Sequence, residues 1–319
     1  MKVILIFLII PVILDILIGD PENFPHPIIY IGKVISKYEK WVRKSKVDLK
    51  LGGFLLLFLT IITVIGVITL ILFLLSKVSV ILATVASVYL LYTSLASKCL
   101  DVEAKKVYYS LLNYDIETSR LKLSYLVGRD TTQLTREEVI KGAVETVSEN
   151  TIDGILAPLI FIAVGIYFGY PVQFVFFYKI TNTLDSMVGY QNEKYKKLGF
   201  ASAKLDDLVN YIPARIGSVC MLLAGLFLKM DFKNGIKILK RDKRNHKSPN
   251  CAYPEAAVAG LLNIRLGGTH TYFGEEVYKP TIGDANREVN PTDIIDTTRI
   301  IYVSEMILLA ILIIFLILI

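Results

Sequence analysis

Glu145, Glu149 and Asp153 recur at every fourth position in EVIKGAVETVSENTIDG. On a helix this spacing puts three carboxylates on one face, and that face runs straight into an apolar stretch. Like charges four apart repel by about 0.2–0.5 kcal/mol on an exposed helix, and by more where the dielectric falls, so the stripe calls for a cation. Arg129, in VGRD, and Arg215, in PARI, are suited to grip phosphate oxygens, because a guanidinium offers two parallel donors. Two further polar groups border apolar runs: Asn182 and Asp185, three apart in TNTLDSMVGY, and Asp206 and Asn210, four apart in KLDDLVNYIPARI, with Asp207 beside them. Carboxylate and carboxamide oxygens from several helices are the hard ligands that Mg²⁺ accepts when it is shared with substrate phosphates. A solvated acidic face at a membrane boundary explains any one pair on its own, but ionisable groups repeated beside apolar runs are costly enough to mark function. The pattern points to phosphate chemistry at a membrane surface.

Several familiar routes to that chemistry are missing from the sequence. No G-x-x-x-x-G-K-[ST] or strand-bound G-x-G-x-x-G is present, and no G-x-S-x-G, so P-loop, Rossmann and α/β-hydrolase readings fall away. Gly267, Gly268 and Gly274 in GGTHTYFGEE mark either a loop that meets phosphates through backbone N–H groups or a plain connector. His26, His246 and His270 match no zinc spacing; His26, fixed between Pro25 and Pro27, stays open as a base or phosphate ligand. Cys99, Cys220 and Cys251 are odd in number and far apart, which writes neither a disulfide framework nor a zinc site.

The elements that must position these residues are membrane helices. Hydrophobic residues make up 54% of the chain and its mean hydropathy is +0.54, more than a soluble core needs. Apolar segments at 2–18, 52–75, 78–97, 154–178, 211–228 and 300–319 are the expected crossings; Pro11 and Asp15 interrupt the first, and 154–178, with several Gly and Pro, reads either as one irregular span or as a re-entrant pair. The segments 52–75 and 78–97 predict a helical hairpin turning at Ser76 and Lys77. Residues 98–150 alternate apolar and charged positions with helical period, and Thr135 with Glu138 three residues on is a capping-box signature for a helix starting there. Residues 248–293 are Gly- and Pro-rich without a hydrophobic run. The net charge of +6 lies in basic stretches such as 33–50 and 229–247, next to apolar segments, where the positive-inside rule and anionic lipid headgroups explain it without nucleic acid. The expectation is an all-α, polytopic bundle in the cell membrane, a single catalytic domain over 1–319, with its active site facing the cytoplasm and membrane lipids around it.

Five stretches in order, DILIGDPENFPHPIIYIG, GRDTTQLTREEVIKGAVETVSENTIDGILAPLIF, YKITNTLDSMVGY, LDDLVNYIPARI and SPNCAYPEAAVAGLLNIRLGG, closely resemble the cobalamin-biosynthesis membrane protein family of adenosylcobinamide-phosphate synthases. The resemblance implies ATP-dependent amide ligation: the free propionate carboxylate of a corrinoid, adenosylcobyric acid, joined to the amine of an aminopropanol phosphate or a related amino-alcohol phosphate, with ATP and Mg²⁺ and with other enzymes of the corrinoid pathway as partners. Carried onto this chain, it implies a catalytic set of Glu145, Glu149, Asp153 and Glu255, nucleotide and phosphate contacts at Arg129, Asn150, Asn182, Arg215 and Asn250, and a metal set of Asp185, Asp206, Asp207 and Asn210. The fifth stretch departs at Cys251 and Ala252, where the family usually shows a small residue and Gly, a change that matters if the Gly has positive φ. Two other readings of the residues stand beside this one. An Mg²⁺-dependent membrane prenyl or alcohol-phosphate transferase also uses Asp clusters on helices, and a corrinoid transporter or scaffold would use its carboxylates to relay ions.

Overall fold

The computed structural model describes residues 1–21, 25–272 and 275–318, with the backbone alone at 269–272 and 275–277. Helix dominates; among the described residues the only sheet is one antiparallel hairpin. Four helical runs are long and apolar enough to cross a membrane: Leu49–Val78, Val80–Leu112, Arg136–Phe168 and Thr292–Leu318, and the bent pair Phe200–Val209 and Tyr211–Phe227 makes up to five. Local chemistry sets their ends. Asp48 caps Leu49–Val78 by accepting from the Lys50 and Leu51 N–H groups at 2.9 and 3.2 Å, which satisfies donors that a helix start leaves open. The hairpin expected after residue 75 turns at Ser79, not at Ser76 and Lys77. Ser76 returns its hydroxyl to the Phe73 carbonyl at 2.7 Å and stays in the helix, whereas Ser79 is extended (φ −160°, ψ 131°) and caps the next helix through Ile81 N–H.

The apolar stretch 154–178 is divided. Helix Ala157–Phe168 stops at Gly169 (φ +81°), and Pro171 opens helix Pro171–Val188, a start that proline tolerates because its missing N–H would have no partner there. At the N-terminus, helix continues from Lys2 to Ile18 through a π-turn at Leu5–Ile9. The π-turn lies just ahead of Pro11, whose ring and absent N–H disturb the regular ladder.

The chain forms two compact units. The first comprises Met1–Ala96, Ala157–Asn210 and Leu312–Ile319; the second comprises Ser97–Leu156 and Tyr211–Ile311. In the second, Arg136–Thr151 carries the expected capping box, with the Thr135 hydroxyl accepting from Glu138 N–H and the Glu138 carboxylate accepting from Thr135 N–H. Ala252–Leu262 is a buried helix inside the region read as lacking a hydrophobic run. Too short to read as a membrane run, it packs closely through its small side chains (AYPEAAVAGLL): a Cβ on Gly260 would fall 2.7 Å from the Gly235 Cα of helix Phe232–Asp242. Asn263, in the left-handed region at φ 58°, ends that helix. Strands Leu266–Tyr272 and Glu275–Ile282 follow, paired from Leu266↔Ile282 with a bulge between Leu266 and Gly268. The glycine-rich stretch is therefore a hairpin rather than a loop; Gly267 and Gly268 supply positive φ at the bulge, and Gly274 lies outside the described residues.

Candidate active site

The second unit gathers a buried charged cluster on the face of Arg136–Thr151 that carries Glu145 and Glu149. Arg129, on the loop before this helix, donates from Nη1 to Glu145 Oε2 at 3.1 Å, and both side chains are buried. Glu145 Oε1 accepts the Gly267 N–H at 2.9 Å, so the hairpin's glycine amide faces a carboxylate. A guanidinium presents Nε and Nη2 along one edge that matches two oxygens. In Arg129 both of these atoms are buried without a hydrogen-bond partner among the described residues. Gly142, one turn from Arg129's partner, makes room for this group: a Cβ there would lie 2.3 Å from Arg129 Nη2.

Glu255, in the first turn of Ala252–Leu262, is 2% exposed, and its Oε1 likewise has no hydrogen-bond partner among the described residues. Burial pushes its carboxyl well above the usual carboxylate range; Lys279 and Arg129 oppose the shift, and Glu145 and Glu149 add to it. Glu149 accepts a hydrogen bond from the Cys251 thiol at 2.9 Å, and burial, with the Glu149 charge next, pushes that thiol well up. Ala252, which stands where the family shows Gly, is the first residue of helix Ala252–Leu262 and is not at positive φ, so the departure there needs no glycine. His246 Nδ1 accepts Ser248 N–H at 3.0 Å, which leaves the ring proton on Nε2. Burial and Lys279 lower the pKa of His246, against the pull of Glu149 and Glu145.

Arg215 is held between two rings, 3.3 Å from the Tyr211 centroid and 4.4 Å from that of Tyr253, and donates to the Tyr211 carbonyl at 2.5 Å and Asn250 Oδ1 at 3.3 Å. Asn150 turns its amide back onto its own helix, to the Thr146 carbonyl and hydroxyl. Asp153 follows in the π-turn Ile152–Leu156. Of the residues singled out from sequence, these and Glu255 belong to the second unit.

Asn182, Asp185, Asp206, Asp207 and Asn210 belong to the first. Buried Asn210 accepts the Tyr178 hydroxyl at 2.9 Å and donates to Asp206 Oδ2 at 3.1 Å, so its carboxamide oxygen is engaged by tyrosine. Asp207 pairs with Lys204 at 3.4 Å. The Asp185 carboxylate lies over Gly189, where a Cβ would fall 1.9 Å from Oδ1. Among the described residues no three His, Cys, Asp or Glu side chains converge as a metal cage. This donor set suits Mg²⁺ that keeps water and shares substrate phosphates, which asks for one or two carboxylates, and does not suit a cation held by protein alone.

His26 caps helix Pro27–Lys44, its Nδ1 accepting Ile28 N–H at 3.3 Å, and its Nε2 lies 3.6 Å from Asp20. His246, Lys279 and Cys251 are the site residues that sequence reasoning did not select. They reach the cluster through tertiary folding, and no spacing from Glu145 or Glu149 announces them.

An almost wholly helical chain with several apolar spans, carrying a desolvated guanidinium with carboxylates around it, defines a polytopic membrane protein. The chain belongs to the CobD/Cbib protein family, whose model matches residues 8–301. It is 48% identical over 305 residues to "Cobalamin biosynthesis protein CobD" of Clostridium tetani, covering 94% of each chain. Proteins of the same name from Listeria monocytogenes strain F2365 (45% over 304 residues, 95% of each) and Citrobacter koseri (43% over 301 residues, 93% of each) are similar along the same length. No solved structure matches the chain.

Proposed function

We propose that this protein acts in cobalamin synthesis as an ATP-dependent ligase that joins the free carboxylate of adenosylcobyric acid to the amine of an aminopropanol phosphate or a related amino-alcohol phosphate, at the cytoplasmic surface of the cell membrane. The family and the names of its relatives support the pathway. The observation that carries the step is the Nε–Nη2 edge of Arg129, buried and without a partner among the described residues, since that edge receives the two oxygens of a carboxylate or of an acyl phosphate.

A carboxylate is a poor acyl donor, and ATP bound with Mg²⁺ supplies the phosphoryl group that activates it and the charge that steadies the transfer. In the first unit Asp185, Asp206 and Asp207 are the side chains with the chemistry to hold the cation; in the second, Arg215, Asn250 and Asn150 are those with the chemistry to meet phosphate oxygens. Arg129 orients the corrinoid carboxylate and offsets charge growing on its oxygens, in a site where low dielectric strengthens the interaction. Glu145 fixes the guanidinium through Nη1. Glu255, whose buried carboxyl is a stronger base than an exposed one, takes the proton from the attacking ammonium, with Glu149 and Asp153 extending the acidic face that attracts it. The amine nitrogen then bonds to the carbonyl carbon and loses its second proton to the leaving phosphate, which departs with the former carboxylate oxygen, and the amide remains.

The stoichiometry tests this route. With purified protein, ADP and inorganic phosphate should appear one-to-one with amide. AMP and pyrophosphate in their place would overturn activation by γ-phosphoryl transfer.

A further inference from the structure

A concavity in the same unit, about 250 Å³, is lined by Glu137 and Lys141 at the start of Arg136–Thr151, by Arg265 just before the hairpin, and by Arg287 and Glu288 after it. Its volume is below the roughly 300–1,000 Å³ of sites for drug-sized ligands, too small for a corrin ring or a nucleoside triphosphate. Its lining carries both signs of charge. Lys141 pairs with Glu137 at 2.5 Å, and Arg287 makes a two-pronged contact with Asp293 at 2.5 and 3.1 Å. Arg265 is exposed to the pocket and makes no hydrogen bond or short ion pair among the described residues. Lys141 precedes Glu145 by four residues, so the pocket opens on the helix face that carries Glu145 and Glu149, about 6 Å along the axis from Glu145.

We infer that this pocket binds a small zwitterion bearing one phosphate and one ammonium on a short carbon chain, with Arg265 as its phosphate anchor, Lys141 and Arg287 beside it, and Glu137 and Glu288 facing the ammonium. A simple anion would meet two carboxylates and a simple amine three cations; a molecule with both groups satisfies each sign. The inference rests on the proposed ligase reading for the identity of the ligand, the amino-alcohol phosphate. Within the pocket Lys141 lies one helical turn from Glu145, and Glu137, which faces the ammonium, lies two turns from it.

The test is a direct binding titration of the full chain in phosphatidylcholine nanodiscs, without ATP or corrinoid, using aminopropanol phosphate, aminopropanol, propanol phosphate and inorganic phosphate. Aminopropanol phosphate should bind at least tenfold more tightly than any of the other three, R265Q should lose tenfold or more, and R265K should recover part of the loss. Equal binding by R265Q and the parent, or no preference for the zwitterion, would overturn the assignment. A phosphatidylethanolamine headgroup offers the same two charges. If adding that lipid to the nanodiscs weakens the apparent affinity, the pocket belongs to the headgroup and the proposal fails; an unchanged affinity upholds the soluble ligand. Because no chemistry is read, tight zwitterion binding in a protein that makes no amide would reject the ligase reading and leave the pocket standing.

Discussion

Arg129 and Glu145 form an ion pair at 3.1 Å with side chains only 3% and 5% exposed, and the guanidinium keeps its two-donor edge turned away from that partner. Removing one member of a buried pair leaves the other charge uncompensated, at a cost of about 3–5 kcal/mol. R129Q should therefore lower thermal stability in detergent as well as abolish turnover, and R129Q/E145Q should recover much of the stability but none of the activity. A stable, active R129Q would show that the pair is not what organises the site.

Gly142 gives a subtler probe. Its added Cβ would sit 2.3 Å from Arg129 Nη2, and the guanidinium is the part able to move. G142A should fold, with a melting temperature near that of the parent, yet lose at least tenfold in kcat because the edge proposed to receive substrate oxygens is displaced. Unchanged kcat would mean that this edge is not used.

Glu255 links stability to pH. Its carboxyl is raised well above 4.5 in the folded chain, by burial first, so between 4.5 and the folded value the folded state holds more protons than the unfolded one. Stability then falls as pH climbs through that window. Denaturation measured across pH should show a smaller fall for E255Q than for the parent, and E255Q should lose the acidic limb of the rate profile along with most of its rate. Parallel stability curves for the two proteins would contradict this account.

Cys251, hydrogen-bonded to Glu149 and with its thiol pushed well up, should resist iodoacetamide at pH 8 in the native protein and react once it is unfolded, as peptide mass mapping would show. Rapid native alkylation would contradict the contact, since the thiolate is the reactive form.

Metal removal addresses the acidic groups of the first unit. Chelation with EDTA should stop turnover and added Mg²⁺ restore it, and D206N should raise the Mg²⁺ concentration needed for half-maximal rate. A D206N protein with an unshifted Mg²⁺ requirement would remove Asp206 from the cation's surroundings.

Much of this arrangement is legible in sequence because local rules govern it. The run Leu49–Val78 announces itself by unbroken apolarity, Thr135 and Glu138 announce a helix start, and the four-residue spacing of Glu145 and Glu149 puts them on a single face. The turn at Ser79 was displaced by three residues because a serine inside a helix can satisfy its hydroxyl on the preceding turn, as Ser76 does. The Ala252–Leu262 helix hides because its eleven residues are too short a run to read as a membrane span, and Pro254 and Glu255 interrupt its apolar face. His246, Lys279 and Cys251 escape notice because they meet the glutamates only through contacts distant in sequence: Cys251 reaches Glu149 across 102 positions. The Tyr178 hydroxyl that engages Asn210 comes from a helix 32 residues earlier, a contact that no local spacing announces.

The most direct test of the central claim is mass-spectrometric detection of amide from purified protein, adenosylcobyric acid, aminopropanol phosphate and Mg²⁺, with and without ATP. Amide formed only when ATP is present is the predicted result. Amide formed equally without ATP, or no amide from folded protein under either condition, would contradict the ligase reading.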